Sequence, residues 1–526
     1  MTDPDSTTAS GPKAPQAAGP DPSTGLSTGS SADQEASSGA RGLSGVAGSE
    51  RGLVLLGLAL ALGLLRFVRL GEWSLWFDEV ATWTDAHHGL DGGQINNKLG
   101  YWAIAWVASL SGGPADELGL RLLPAIVGWL VIPLTWFVFR PFFGGRAAAG
   151  AAVLVAVSTW QVSWSQTARF YTMAQAISLV GGGITLSGYV RASVPRAVLG
   201  LVVAASAFFF HPSGALLVPA LVMAPWVVSM TGVSFRTARR PAYVLLGCSI
   251  VAVAAAFPTA LETWNWYSMQ KGHSGGLMTR LPSIVHYLKT TGFYVTPVLG
   301  LAALVGGGFA LRRRSAPQLA AFAIAALGLA AALTASAFVR ISAQYVFVTL
   351  PWLCMLACLP LVEDGHERSE LSREGALLVR RMRTAWLLVL AVPALTTTAL
   401  YLTVRRGERP AWREAYQYVW NERDPGDLVL GMEASVGEFY IAPDRTALRE
   451  TRHVAWLDKF RALRAEQWTR HPRGTWYVIN PEQLMGWKPE EAAGLRRYLA
   501  EECHLVKSFP LYVESRDLSV WVYVRA

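Results

Sequence analysis

Eleven long runs of apolar side chains, separated by short loops, limit what this chain can fold into. Inside hydrocarbon a backbone must satisfy its own hydrogen bonds, so only helices and closed barrels cross a bilayer. Runs of this length predict helices. The first is Gly52–Leu70, and the others lie near 121–139, 147–160, 172–190, 197–210, 213–230, 241–260, 292–311, 318–338, 344–362 and 385–402. Several fall short of the roughly 20 residues of a straight span, so their ends are expected to extend into the flanking loops. Only 16% of the residues are charged, against roughly 25% in a soluble globular protein. The expected fold is an all-α polytopic membrane domain.

The loops set the expected topology. A formal net charge of +9 could suggest a nucleic-acid partner, but the arginines sit mostly in short loops between apolar runs, where membrane insertion selects them. The loops 140–146, 191–196, 236–240, 312–314 and 363–383 carry fifteen arginines. The opposite loops carry few basic residues and the acidic Asp78, Glu79, Asp85, Asp91, Asp116, Glu117 and Glu262. The short run Tyr101–Ser111 decides the parity. As a helix it reaches about 16 Å, too little to cross, and counting it as a span would violate the positive-inside pattern throughout. It is therefore expected to lie in the interface, with eleven spans, a cytoplasmic N-terminus and a multi-pass location in the cell's inner or plasma membrane.

Residues 1–50 are rich in Ser, Gly, Ala, Pro and Thr and are expected to be a disordered cytoplasmic tail. They lack the apolar core of a signal peptide. Residues 51–402 form the membrane domain, and Gly52–Leu70 reads as a signal anchor. Residues 403–526 are charged and mixed. Helices over Trp412–Asn421 and Glu490–Glu501 and strands over Asp427–Gly431, Thr475–Ile479 and Leu518–Val524 predict a small α/β domain on the extracytoplasmic side. The four cysteines make no disulfide framework, and Cys354 and Cys358 read as small core residues.

The unusual polar residues fall on one face. The loop after the first run reads Trp73-Ser74-Leu75-Trp76-Phe77-Asp78-Glu79-Val80, two adjacent carboxylates among aromatics. It is either an interfacial helix with a solvated acidic face or a reactive pair. The next loop on that face reads Ser163-Trp164-Ser165-Gln166-Thr167-Ala168-Arg169-Phe170-Tyr171. Arg169, a lone cation among apolar and aromatic residues, either snorkels to headgroups or anchors an anionic phosphate. Lys98, just before Tyr101, and Arg340, before Gln344-Tyr345, are further cations on this side. His211, beside Pro212, is a turn residue or a pocket residue.

Phosphate-binding Gly-rich loops, a dinucleotide fingerprint, zinc-ligand spacings and a Gly-x-Ser-x-Gly elbow are all missing from the sequence. A nucleotide-fed cytosolic chemistry is therefore not expected, and a donor should be reachable from within the membrane. The polar residues cluster at one surface without an internal repeat. A transporter or lipid flippase, which binds near the midplane, is the alternative. A non-catalytic subunit of a glycan-assembly system is another.

The segments Leu75-Trp76-Phe77-Asp78-Glu79, Arg121-Leu122-Leu123-Pro124 and Trp164 to Tyr171 together resemble integral-membrane glycosyltransferases of the GT-C superfamily. The bacterial relatives of protein mannosyltransferases (glycosyltransferase family 39) and of the lipid A aminoarabinose transferase are the nearest in pattern. Thr167 stands where those proteins have Glu, and no prolines precede Leu99-Gly100-Tyr101. The resemblance implies inverting transfer of a hexose or pentose from a polyprenyl-phosphate donor to a glycan, lipid or protein acceptor on the non-cytoplasmic face. It implies Asp78 as general base with Glu79 as its partner, Arg169, Lys98 and Arg340 at the donor phosphate, and Tyr101, Gln166, Tyr171, His211, Gln344 and Tyr345 around the substrate. One base and several cations suit such a transfer, because a phosphate leaving group needs no strong acid. A retaining glycosidase would need two carboxylates about 5 Å apart. No metal is expected, although a divalent ion on Asp78 and Glu79, as in some relatives, is the alternative.

Overall fold

The computed structural model describes residues 52–525 apart from 88–97, 111, 113–114, 272–276, 363–371, 443–451 and 458–473. The tail expected over 1–50 lies outside the described residues, as does the side chain of Lys98.

Helices form at all eleven apolar runs. Seven are long and apolar enough to cross a membrane alone, among the described residues, and two bent helix pairs raise the number to nine. The shorter apolar helices Gly52–Phe67 (α1) and Val194–Phe209 occupy the remaining two runs. Next in chain order come Phe77–His87 (α2), Lys98–Ser109 (α3), Glu117–Phe143 (α4), Gly145–Val157 (α5), Thr159–Ser165 (α6) and Tyr171–Val190 (α7). α3 is the short segment expected in the interface, starting three residues earlier than the apolar pattern suggested.

Two runs expected as single spans are broken. α5 and α6 meet at 60°. Ser158 takes an extended conformation between them and its side chain accepts from the Gln161 N–H. The carbonyls freed at the end of α5 find a cation: wholly buried Arg66 donates to Val155 O at 2.9 Å and to Ala156 O at 3.2 Å. A helix C-terminus is the negative end of its dipole, so it suits a buried guanidinium. The second break lies inside the run near 292–311, where Arg280–Val295 meets Pro297–Arg313 at 89°. Pro297 lacks the N–H that would continue the first helix, and Thr296 takes φ 63° and caps the second. Proline inside α4, at 124, 133 and 141, is tolerated without such a break because neighbouring groups re-satisfy the freed carbonyls. The Thr172 hydroxyl ties α7 to α4 by donating to Pro124 O at 3.2 Å.

After the last span, Arg373–Leu402, the expected helices are found at Trp412–Glu422 and Pro489–Glu502. The strands are Leu428–Gly431 (β1), Ala455–Trp456 (β2), Thr475–Ile479 (β3), His504–Phe509 (β4), Tyr512–Val513 (β5), Arg516–Asp517 (β6) and Val520–Arg525 (β7). The main sheet has the order β2-β1-β3-β7-β4. β1 runs parallel to β2 and β3, and β7 runs antiparallel to β3 and β4. β3 is buried throughout, as a central strand covered on both faces should be. Helix Ala434–Ile441 and strand β4 were not expected from the sequence. Cys354 and Cys358 are buried in the membrane core as free thiols.

Candidate active site

α2 follows directly on Trp76, so Asp78 and Glu79 both lie in its first turn, where the helix dipole favours carboxylates. Adjacent residues on a helix point about 100° apart, and the two carboxylates have separate fates. Glu79 is fully buried. Arg121, from the start of α4, grips it with two prongs, Nε to Oε1 at 2.8 Å and Nη2 to Oε2 at 2.9 Å. The backbone N–H of Ala168 donates to Oε1 at 2.8 Å and that of Trp76 to Oε2 at 3.3 Å. Burial works to raise the pKa of the carboxyl, but Arg121, Arg409 and these hydrogen bonds outweigh it and hold Glu79 below the usual carboxylate range. Arg121 also donates to the carbonyls of Leu70, Trp73 and Ser74 at 3.2, 2.8 and 2.9 Å. One guanidinium thus organises the whole loop from the first helix to α2.

Asp78 is half-buried, and its carboxylate accepts no hydrogen bond among the described residues. Its backbone carbonyl accepts from Arg169 Nη1 at 3.0 Å, and the same nitrogen donates to Thr82 Oγ1 at 3.0 Å. Arg169 projects from the turn between α6 and α7. Its guanidinium lies 4.6 Å from the Phe170 ring and 5.5 Å from that of Tyr101. Gly100 permits this approach: a Cβ there would strike the Phe170 side chain. A ring series continues inward, with Phe170 stacked on His211 at 5.1 Å and His211 4.7 Å from Tyr171 and 5.3 Å from Tyr345. The structure therefore brings together Asp78, Arg169, Tyr101, Tyr171, His211 and Tyr345.

Other expected residues are placed differently. Glu79 is sealed in its ion pair instead of standing beside Asp78. Gln166 is buried and donates to Arg66 O at 3.1 Å and Val68 O at 2.8 Å, so it braces the end of α1. The Gln344 side chain accepts from Ser342 Oγ at 2.8 Å. Arg340 is exposed and makes no hydrogen bond or ion pair among the described residues. Lys98 begins α3, one turn before Tyr101.

Two arginines were given no role from the sequence, although Arg121 opens one of the segments that carry the resemblance. Arg121 carried the signal that marked Arg169, a lone cation at the mouth of an apolar run. Arg409 carried none, being one of several arginines that follow the last span. It donates to Thr167 Oγ1 at 2.6 Å, lies 3.9 Å from Glu79 Oε2 and sits 5.0 Å from the Trp76 ring. It is held there by Arg406, Gly407 and Glu408, three successive residues with positive φ. At Gly407 the requirement is double, since a Cβ would run into the Trp73 ring. More of the C-terminal region reaches the loop. Arg413 pairs with Glu117 at 2.8 Å, and the Tyr440 hydroxyl donates to Glu117 at 2.9 Å and accepts from the Leu75 N–H at 2.6 Å.

Glu79 is not free to ligate a divalent ion alongside Asp78. Both oxygens of Glu79 are taken by four N–H donors, with two guanidinium groups alongside. No group of three or more His, Cys, Asp or Glu side chains suited to a metal occurs among the described residues.

The oligosaccharyltransferase of Archaeoglobus fulgidus, in its apo form, superposes with a TM-score of 0.53 over 90% of this chain and 74% of its own, at 12% identity. The chain has the GT-C fold. Two structures of ArnT from Cupriavidus metallidurans are also similar. The apo state has a TM-score of 0.48 at 16% identity, over 90% of this chain and 97% of its own. The form bound to undecaprenyl phosphate has 0.49 at 15%, over 90% and 98%. No family model matches the chain, and no curated protein does. In this GT-C fold the loop after the first helix, the turn before α7 and the connection from the last span to the C-terminal sheet converge on Glu79.

Proposed function

We propose that the chain is a membrane glycosyltransferase that moves a sugar from a polyprenyl-phosphate carrier to an acceptor on the non-cytoplasmic face. The observation that carries this reading is the half-buried Asp78 carboxylate, accepting no hydrogen bond among the described residues, with the Arg169 guanidinium bonded to its own backbone carbonyl. A carboxylate left unpartnered beside an anchored cation can take a proton while the cation faces a developing anion.

In the proposed reaction Asp78 accepts the proton of an acceptor hydroxyl or amine. The acceptor atom attacks the anomeric carbon as the bond to the carrier phosphate breaks, and the configuration inverts. The electron pair leaves on the phosphate, which Arg169 neutralises, assisted by Lys98 and, from farther out, Arg340. Tyr101, Tyr171, His211 and Tyr345 form the wall of the sugar site, while Gln166 and Gln344 support it from outside. Glu79 acts as a positioning residue, because it fixes α2 against the turn that carries Arg169.

The charge pattern of the loops supports a cytoplasmic tail over 1–50, a membrane domain over 51–402 and an extracytoplasmic domain over 403–526. Such a reading puts Asp78 and Arg169 on the non-cytoplasmic side. The test is sugar transfer from a synthetic polyprenyl-phosphate sugar by purified protein. Asp78→Asn should abolish transfer with folding intact. Full transfer by that variant would remove Asp78 from the reaction.

A further inference from the structure

None of the residues just described as lining the sugar site lines the cavity of about 300 Å³ that lies between the α5–α6 break, the Thr296–Pro297 break and the last span. The two bends create it: helices that turn by 60° and 89° cannot pack along their whole length. One end is apolar, formed by Leu154, Leu390 and Ala394. The other end is charged, formed by Arg405, Glu408 and Glu514. The cavity is thus amphipathic along its length.

Two details define what would fill it. Part of the wall is aromatic: the Trp160 ring borders the cavity, stacked on Tyr294 at 5.7 Å and packed against Phe347 at 5.2 Å, with its indole nitrogen shut away from the open space. Such a rigid apolar wall suits a hydrocarbon chain. At the charged end, Arg405 pairs with Glu514 at 3.0 Å and with Glu408 at 3.5 Å. Two carboxylates share one guanidinium, and the next cation, Arg516, is engaged by Glu482 at 2.9 Å and lies 3.9 Å from Glu408. The charged lining therefore carries one negative charge in excess, which disfavours an anionic headgroup.

We propose that this cavity binds a zwitterionic, amine-bearing glycerophospholipid. Its acyl chain lies along Leu154, Leu390, Ala394 and the Trp160 ring, the phosphate faces Arg405 and the ammonium group faces Glu408 and Glu514. Glu514 sits at the turn between β5 and β6 with φ 57°. The lipid headgroup would therefore join that hairpin of the second domain to the end of the last span. The proposal is independent of the reaction assigned to Asp78.

The full chain is purified, stripped of lipid, and reconstituted with equal amounts of phosphatidylethanolamine and phosphatidylglycerol. Retained lipid is then counted by native mass spectrometry. Retention of phosphatidylethanolamine over phosphatidylglycerol by about tenfold is expected, the size of one well-placed charged contact. Glu408→Gln with Glu514→Gln should bring the ratio close to one. Ala394→Trp, which fills the apolar end, should reduce retention of both lipids. Equal retention of the two lipids by the unaltered chain would overturn the proposal, and so would a preference that survives the double carboxylate change. Should Ala394→Trp fail to fold, the carboxylate variant decides alone, since Gln keeps the size of Glu and an oxygen that can still accept from Arg405.

Discussion

Glu79 and Arg121, 42 positions apart, meet as a two-pronged ion pair in which neither side chain touches solvent. Desolvating two charges is costly, and such a pair is held only where geometry and further hydrogen bonds compensate. Here the remaining oxygen capacity of Glu79 goes to two backbone amides and the remaining donors of Arg121 go to three carbonyls. Removing one partner strands the other. Glu79→Ala is expected to cost about 3–5 kcal/mol, read as a loss of unfolding temperature in detergent. Glu79→Ala combined with Arg121→Met should recover part of that loss, because no charge then stays buried alone.

The same pair sets a pH dependence. The folded Glu79 carboxyl lies below its ordinary value, with burial opposing and the two arginines prevailing. Its contribution to stability is then complete above the unfolded pKa of about 4.3 and is lost as pH falls toward the folded value. Unfolding temperature followed from pH 6 downward should decline in that acid window. Glu79→Gln should remove this component of the decline and leave the profile above the window parallel.

Asp78 should behave in the opposite way. Its carboxylate accepts no hydrogen bond among the described residues, so Asp78→Asn should change stability by less than about 0.5 kcal/mol. Sugar transfer should fall by about a hundredfold to ten-thousandfold, the range for loss of a general base. Comparing transfer rates with unfolding temperatures separates the two effects.

Arg169 donates through Nη1 to Asp78 O and Thr82 Oγ1, interacts with the Tyr101 side chain, and lies against the Phe170 ring. Arg169→Lys keeps a charge and loses the fork that a phosphate matches best. The variant should raise KM for the polyprenyl-phosphate donor several-fold and leave KM for the acceptor unchanged. An equal rise in both would mark Arg169 as structural.

Gly407 lies in the connection from the last span to the C-terminal sheet at φ 64°, pressed on Trp73. Gly407→Ala adds strain and a clash, and is expected to cost more than about 1 kcal/mol. Because Arg409 reaches Glu79 and Thr167 from the same connection, the variant should also lower kcat. Gly426→Ala, at a positive-φ turn with open space around it, is the control for strain without the contact.

The sequence by itself determined where the helices are, because transfer into hydrocarbon depends on the local run of side chains. It marked Tyr101–Ser111 as a short helix apart from the long ones, and it drew attention to Asp78 and Arg169 by charge at apolar boundaries. Strand Thr475–Ile479 was legible from its own residues. β4 was not: it is an edge strand, almost wholly exposed, and its sequence carries little alternation. Only the tertiary structure decided that Glu79 is sealed while Asp78 stays open, since that depends on where α4 delivers Arg121. Only the tertiary structure brought Arg409 to the site and opened a cavity at two helix breaks. Such pairings join residues far apart in the chain, and no local pattern specifies which distant side chain arrives.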